Sequence, residues 1–508
     1  MSKRSSTELF DLIQSLSKGE KRYFKVHSSR HTIGEENKYV KLFDAICKQK
    51  TYDEKHLLAN EKYVRQLPLL KKRLYHSLLK TLEIYHTSID AEIRKLLHQA
   101  EILYEKALYE QAKKVLRAAK KTCREHNLLT CELEISRWET KIAWAQDNLE
   151  QLGKIISEEK SILGSLENLK KYQTINQKIF RIYYQHGIPR HSAAIREIKK
   201  LASGPLLKNP KNANSFEALH TFYHFQNIYH TMRQDYAKAN SSGIKKLELF
   251  SEQPEKIKSY TNLYLGDLND SLISAMMIKD YKQMEMYVTK LRELEHIITS
   301  ERGKTVLFFF SYHELNFYIQ TGQFQKAVKR IETLEEKFPL YQNKITPAKK
   351  AVLYTLFAVS FFGSGNFKKS IFYLNKIRNE NMGGVRTDIE SFAHVLNVIA
   401  HFEKGSDVEF LKSLVRSVYH YLLKRNRLYK FEESLIGFIR KKLSNVSSQK
   451  EFTPIFIEWK KELEKIFKDP FEQGGIQDFD FISWLESKIE NKSFGEIVRR
   501  KIKSQVNF

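Results

Sequence analysis

The chain has 508 residues, 42% hydrophobic and 29% charged, with a formal net charge of +26 at pH 7. That length exceeds one ordinary core and implies several domains or an extended repeat array. The apolar content excludes a disordered chain, and 9 prolines with 19 glycines argue against an all-β fold built on tight turns.

Met1 to Leu12 holds Lys3 and Arg4 without an apolar run of signal-peptide length. The strongest apolar runs, Val306 to Phe310 and Leu356 to Phe362, fall far short of the roughly 20 residues that cross a bilayer. A cytoplasmic protein without membrane insertion is expected. Cys47, Cys123 and Cys131 are odd in number and lack CxxC spacing, which fits reduced structural thiols.

Residues 1–90 read as a basic helical module, with 18 Lys and Arg against 11 Asp and Glu. A short helix begins at Thr7 to Phe10, and Ser17-Lys18-Gly19-Glu20 is a capping box opening a second. Residues 27–37 read as a loop. Tyr39 to Cys47 is amphipathic, with Val40, Phe43 and Ile46 on one face. Pro68 suits the first turn of a long helix ending at Tyr85. No helix-turn-helix signature stands out, so the module is expected to cap the first repeat.

A repeat begins near residue 91. Its clearest copy is Phe317-Tyr318-Ile319-Gln320-Thr321-Gly322-Gln323-Phe324, with Ala327, Ile331 and Leu334 on one face and Pro339 as an expected stop. One apolar helix ends at Gly322, which permits a left-handed turn. A second begins at Phe324, and small Ala327 lets two helices cross closely. The same pattern surrounds Ala107, Lys279 and Gly365, with weaker copies at Asp147, Gly187, Gln234 and Gly405. Successive turn positions differ by 40, 40, 47, 45, 43, 43 and 40 residues. Each period holds two helices of about 15 to 18 residues plus turns. A single hairpin cannot bury its apolar face, so stacking into an α-solenoid follows.

The order small residue, aromatic two positions on, alanine three later and a late proline resembles the tetratricopeptide repeat (TPR). Gly322, Phe324, Ala327 and Pro339 match best, then Gly365, Phe367 and Leu374, then Tyr109, Ala112 and Ala119. The longer period departs from the usual 34 residues. The expected fold is an all-α, TPR-like solenoid of about eight antiparallel hairpins. It spans residues 91–425, between the N-terminal module and a helical C-terminal cap at 426–508. In that cap Asp480 is an expected N-cap, and Phe481, Trp484, Leu485 and Ile489 are expected to pack on the last hairpin.

Sequence signals for chemistry are sparse. Gly303-Lys304-Thr305 lacks the earlier glycine of a phosphate-binding loop. Glu217, His220 and His224 share a helix face, but no second carboxylate–histidine pair accompanies them, so no metal is assigned and the histidines are expected on the array's inner face. No catalytic constellation and no cofactor fingerprint occurs. The expected function is a non-enzymatic protein- or peptide-binding scaffold. The TPR resemblance implies that the first helix of each hairpin lines a groove. Projected onto this chain, that groove carries Tyr104, Lys141, Trp144, Gln177, Arg181, Tyr184, His224, Asn269, Tyr312 and Asn316. Arginine, lysine and flat aromatics suit an acidic segment with apolar anchors. The alternative is a nucleic-acid-associated regulator that uses the basic N-terminal module and basic helix faces. Lys113, Arg117, Lys120 and Arg124, which share one face, are its candidate polyanion contacts.

Overall fold

The computed structural model describes residues 7–29, 38–49, 51–60, 66–186, 192–298, 300–379, 387–424, 428–442, 449–469, 472 and 479–505. Among the described residues every regular element is a helix. The chain divides into two compact units, Met1–Glu167 and Asn168–Phe508.

The first unit opens with α1 (Glu8–Ser15), α2 (Lys18–Ser29), α3 (Lys38–Cys47), α4 (Glu54–Asn60) and α5 (Leu67–Tyr85). They share their own core, in which Leu9, Ile13, Phe24, Leu42, Phe43 and Leu74 meet. The capping box forms: the Ser17 N–H donates to Glu20 (2.6 Å) and the Glu20 N–H donates to Ser17 Oγ (3.3 Å). Pro68 lies in the first turn of α5. The repeat begins with α6 (Ile89–Glu105), α7 (Tyr109–Glu125), α8 (Leu129–Ala145) and α9 (Leu149–His186), and the division between units falls inside α9.

In the second unit follow α10 (Ser192–Ala202), α11 (Phe216–Met232), α12 (Tyr236–Glu252), α13 (Glu255–Ser259) and α14 (Thr261–Met277). Next come α15 (Tyr281–Ile297), α16 (Glu301–Gln320), α17 (Phe324–Tyr341), α18 (Pro347–Gly363), α19 (Phe367–Asn379), α20 (Thr387–Glu403) and α21 (Val408–Lys424). The unit ends with α22 (Lys430–Lys442), α23 (Gln449–Ile466), α24 (Phe481–Ile489) and α25 (Phe494–Gln505). Consecutive helices pack as hairpins, and first helices of successive hairpins also touch, as α6 touches α8, α14 touches α16 and α16 touches α18. This is an all-α, TPR-like repeat. Ten of its helices are 17 residues long, about 26 Å each at 1.5 Å per residue, which accounts for a period longer than 34.

The turns have a common cause. Ala107, Asp147, Gln234, Lys279, Gly322, Gly365 and Gly405 all have left-handed φ, between 53° and 83°. After each, an N–H reaches back to a carbonyl five residues earlier: Leu108 to Leu103 (2.9 Å), Gln323 to Tyr318 (2.8 Å), Asn366 to Phe361 (2.8 Å). These bonds satisfy carbonyls that the ending helix leaves free. Seven of the eight expected turn positions are thus turns; position 187 lies outside the described residues. Asn127, between α7 and α8, uses the same device.

Behind the turns, small residues set the crossings. Ala112, Ala239 and Ala327 are fully buried. In α7, Ala112, Leu116, Ala119 and Cys123 face inward at helical spacing. The Cys123 thiol is pushed up to about 12 by burial, then by neighbouring Cys131 and Glu132, and burial also raises Cys47 and Cys131. None of the three has the lowered pKa of a reactive thiol.

Three expectations require correction. The repeat implies helices of about 15 to 18 residues, yet α9 runs unbroken for 38 residues. The segment Ser165-Leu166-Glu167-Asn168-Leu169-Lys170-Lys171 holds no glycine or proline to stop it. Pro339 does not end α17, which continues to Tyr341; proline keeps helical φ and near a helix end forfeits only one hydrogen bond. The C-terminal cap does not rest only on the last hairpin. Trp484 does meet that hairpin, since its indole N–H donates to Glu403 at the end of α20 (2.6 Å), and it also packs on Phe456 and Trp459 of α23. Farther on, Arg499 reaches the carbonyl of Gly322 (2.6 Å). Glycine explains this long return. A Cβ on Gly322 would lie 2.7 Å from the Gly495 carbonyl, and one on Gly363 would enter the Phe324 ring.

Candidate functional site on the first helices

In the first unit, α6 and α8 are the first helices of the hairpins that turn at Ala107 and Asp147. Their contact brings Tyr104 of α6 beside Trp138 of α8, ring centroids 5.8 Å apart. Lys141, one turn beyond Trp138, lays its ammonium 3.9 Å above the indole and 5.9 Å from the tyrosine ring. Trp144, one turn further, is 64% exposed. Sequence reasoning named Tyr104, Lys141 and Trp144 but missed Trp138, the residue that joins the first two. Its spacing of three before Lys141 was the available signal.

Gln177, Arg181 and Tyr184 belong to the part of α9 in the second unit. Gln177 and Arg181 are exposed; the Tyr184 side chain lies outside the described residues. The remaining candidates gather on α11, α14 and α16. The Asn269 amide donates to Asp270 (3.3 Å), while its carbonyl oxygen accepts from the Tyr312 hydroxyl (3.1 Å) and lies 3.0 Å from His313 Nε2. His224, Asn269, Tyr312 and Asn316 are each partly exposed.

Beneath this row lies a group that sequence reasoning did not find. Lys246 of α12 is fully buried, its ammonium 2.9 Å from Asp267, 2.8 Å from Asp270 and 3.4 Å from His224 Nδ1. Asp267 also accepts from His220 Nε2 (2.7 Å), so His220 sits in the interior rather than on an inner face. Burial alone would raise the Asp267 carboxyl, but Lys246 and His220 hold it below its ordinary range. Burial, then the Lys246 charge, brings His224 down to about 4, so it is neutral at pH 7. Burial brings His313 down to about 3. The signal was Lys246 itself, on the buried face of α12 with Ala239, Ser242, Gly243 and Phe250. Gly243 allows the approach, since a Cβ there would lie 2.8 Å from Ser271 Oγ.

His224, Asp267 and Asp270 place donor atoms within 4.8 Å of one another, a spacing that suits a cation. The Lys246 ammonium already lies among those donors. Glu217, the third member of the sequence-level cluster, instead accepts from Tyr260 (2.6 Å). Gly303, Lys304 and Thr305 lie in the first turn of α16, where Thr305 bonds back to the Glu301 carbonyl (2.8 Å). The arrangement offers paired donors and acceptors held rigidly, without a nucleophile set against a base.

The basic stripe of α7 is largely paired. Lys113 meets Glu110 (2.9 Å), and Lys120 meets Glu139 and Glu158 (2.7 Å each). Arg124 lies 3.5 Å from Glu132 and 3.6 Å from Glu158. Arg117 is exposed beside them. Of a second basic cluster in the sequence, Arg425 to Arg427 and the side chains of Arg440, Lys441 and Lys442 lie outside the described residues. Among the described residues no helix is long and apolar enough to cross a membrane.

No protein-family model and no curated protein matches the chain. A search of solved structures finds similarity to a signal-transduction ATPase with numerous domains, carrying a tetratricopeptide repeat sensor, from Pyrococcus horikoshii. The identity is 14%, the TM-score 0.38, and the alignment covers 84% of this chain and 67% of that one. Likeness at this level assigns neither partner nor activity.

Proposed function

We propose that the chain is a non-enzymatic helical-repeat scaffold that binds a protein or peptide segment along the first helices α6 and α8 of its first unit. The observation that carries this is the Tyr104–Trp138–Lys141 cluster with exposed Trp144 beside it. Large aromatics that stay at the surface lose little side-chain entropy on contact and dominate interface energetics. A lysine packed over an indole is already ordered, so little further order is lost when it meets a partner.

The preferred occupant is an acidic segment with one or two apolar anchors. Lys141 supplies a cation over the Trp138 indole, and the chain's +26 balance favours encounter with acidic partners. Affinity should be modest, since ordering a flexible peptide costs free energy. The test is fluorescence anisotropy of the full chain with labelled ten-residue peptides. One is rich in Asp and Glu around a single Trp or Leu, its counterpart carries Lys at the acidic positions, and a single-stranded oligonucleotide is the third probe. The expected result is saturable binding of the acidic peptide alone. Preference for the lysine peptide overturns the acidic assignment. Tight oligonucleotide binding that falls steeply with salt favours the nucleic-acid alternative instead.

A further inference from the structure

The return of the C-terminal helices to the hairpin turns leaves space between them. A cavity of about 480 Å³ opens between the Gly322 and Gly365 turns on one side and α24 with the start of α25 on the other. That is within the roughly 300–1,000 Å³ typical of small-molecule sites.

Its lining is lopsided in charge. Lys326, Lys488, Lys492 and Arg499 face Glu403, the one acid among the described lining residues. Glu403 is already engaged by Lys488 (2.5 Å) and the Trp484 indole (2.6 Å). Arg499 donates to the Gly322 carbonyl, which fixes the guanidinium against the turn without neutralising it. Lys492 meets Glu490, outside the cavity (3.1 Å). Lys326 meets no acid among the described residues. The first turn of α25, Phe494 and Gly495, also faces the space and adds the positive end of a helix dipole.

Beside the cations the space is lined by Phe324, Phe362 and Phe494, which are 3%, 3% and 8% exposed, and by half-buried Phe367. Phe324 and Phe494 stack with centroids 5.1 Å apart, and Phe362 meets Phe494 edge-on at 6.4 Å. Four glycines, Gly322, Gly363, Gly365 and Gly495, keep the walls free of side chains. Charge on one side and a phenylalanine lining on the other suit a ring-bearing anion.

We propose that this cavity binds a small organic anion, a phosphate- or carboxylate-bearing molecule with a flat apolar portion. Its two walls come from residues 322–367 and 484–499, so the ligand ties the C-terminal helices to the repeat. The test is isothermal titration calorimetry of the full chain with phenyl phosphate, phenylacetate, inorganic phosphate and neutral benzyl alcohol. One aromatic anion should bind saturably at one per chain, more tightly than inorganic phosphate, and benzyl alcohol should not bind. Which aromatic anion binds distinguishes phosphate from carboxylate. Lys326→Glu with Lys492→Glu should weaken binding at least tenfold with the thermal melt retained. Ser364→Trp, which fills space without changing charge, should weaken it as well. Amide exchange at 322–326 and 494–499 should slow when the anion is bound. The proposal is overturned if neither aromatic anion saturates by about 10 mM, if both variants bind undiminished, or if inorganic phosphate binds as tightly as phenyl phosphate.

Discussion

The hairpins of α6–α8 and those of α11–α16 follow one rule of turns and treat their lysines in opposite ways. In the first unit Lys141 lies on the surface, over Trp138, and the core beneath is apolar, built from Ile93, Leu116, Ala119 and Ile135. In the second, Lys246 is in the core, held by Asp267 and Asp270. A surface lysine on an indole is available to a partner at little structural cost. A buried lysine must keep its carboxylates, because an uncompensated buried charge is expensive. The same residue type therefore marks a binding surface in one region and a structural constraint in the other.

The largest expected effect tests that contrast. Lys246→Ala leaves Asp267 and Asp270 without their cation and should cost about 3–5 kcal/mol, whereas Lys141→Ala should cost under about 1 kcal/mol. Chemical denaturation of both variants checks it. Similar losses would erase the distinction. Replacing the whole group together, Lys246→Met with Asp267→Asn and Asp270→Asn, should recover much of the loss.

Next in size is overpacking at a crossing. Ala327 is fully buried and its neighbour Lys326 is exposed. Ala327→Trp should cost at least about 1–3 kcal/mol and Lys326→Trp less than about 0.5 kcal/mol. Equal melting temperatures would place α17 on the wrong face.

Acid should separate the regions further. His313 has a folded pKa near 3 against an ordinary 6.5. Between those values the unfolded chain binds the extra proton, so the stability that neutral His313 contributes is present above pH 6.5 and declines as pH falls toward 3. His224 acts in the same direction down to about 4. Asp267, with its lowered pKa, adds loss at still lower pH. The melting temperature should fall below pH 6.5, and His313→Gln should flatten that slope. A slope unchanged in His313→Gln would assign it elsewhere.

The smallest effect probes what the regions share. Gln234 and Lys279 hold left-handed φ of 58° and 56° without being glycine. That conformation costs a side chain roughly 1–2 kcal/mol, partly offset by the greater freedom glycine loses on folding. Lys279→Gly should therefore stabilise by about 0.5 kcal/mol. Gly322→Ala should destabilise more than Gly405→Ala, because only Gly322 also meets Gly495.

The turns were legible in the sequence because their cause is local. Each needs a helix end, a left-handed residue and an aromatic or apolar restart, all within about six positions, so even Asp147 and Gln234 showed without a glycine. The continuity of α9 was not legible, since regular spacing implied a break that Ser165 to Lys171 does not encode. The return of α25 to Gly322 joins residues 177 apart, and nothing near Arg499 announces its partner. At the candidate site, Lys141 and Trp144 were visible as polar and aromatic residues on a first helix. Trp138 was passed over because an aromatic on a repeat helix reads first as core. Lys246 was passed over because a lysine is ordinarily assumed to face water.

The central claim is that the surface cluster of the first unit binds and the buried group of the second supports. The most direct measurement is anisotropy with the acidic, Trp-anchored peptide against four variants: Lys141→Glu, Trp144→Ala, His224→Ala and Asn269→Ala. The account predicts at least a tenfold loss of affinity for each of the first two, with melting temperatures close to that of the unmodified chain. For the last two it predicts lower melting temperatures with affinity nearly unchanged. Unchanged affinity in both Lys141→Glu and Trp144→Ala, in a chain that still binds the peptide, would contradict it.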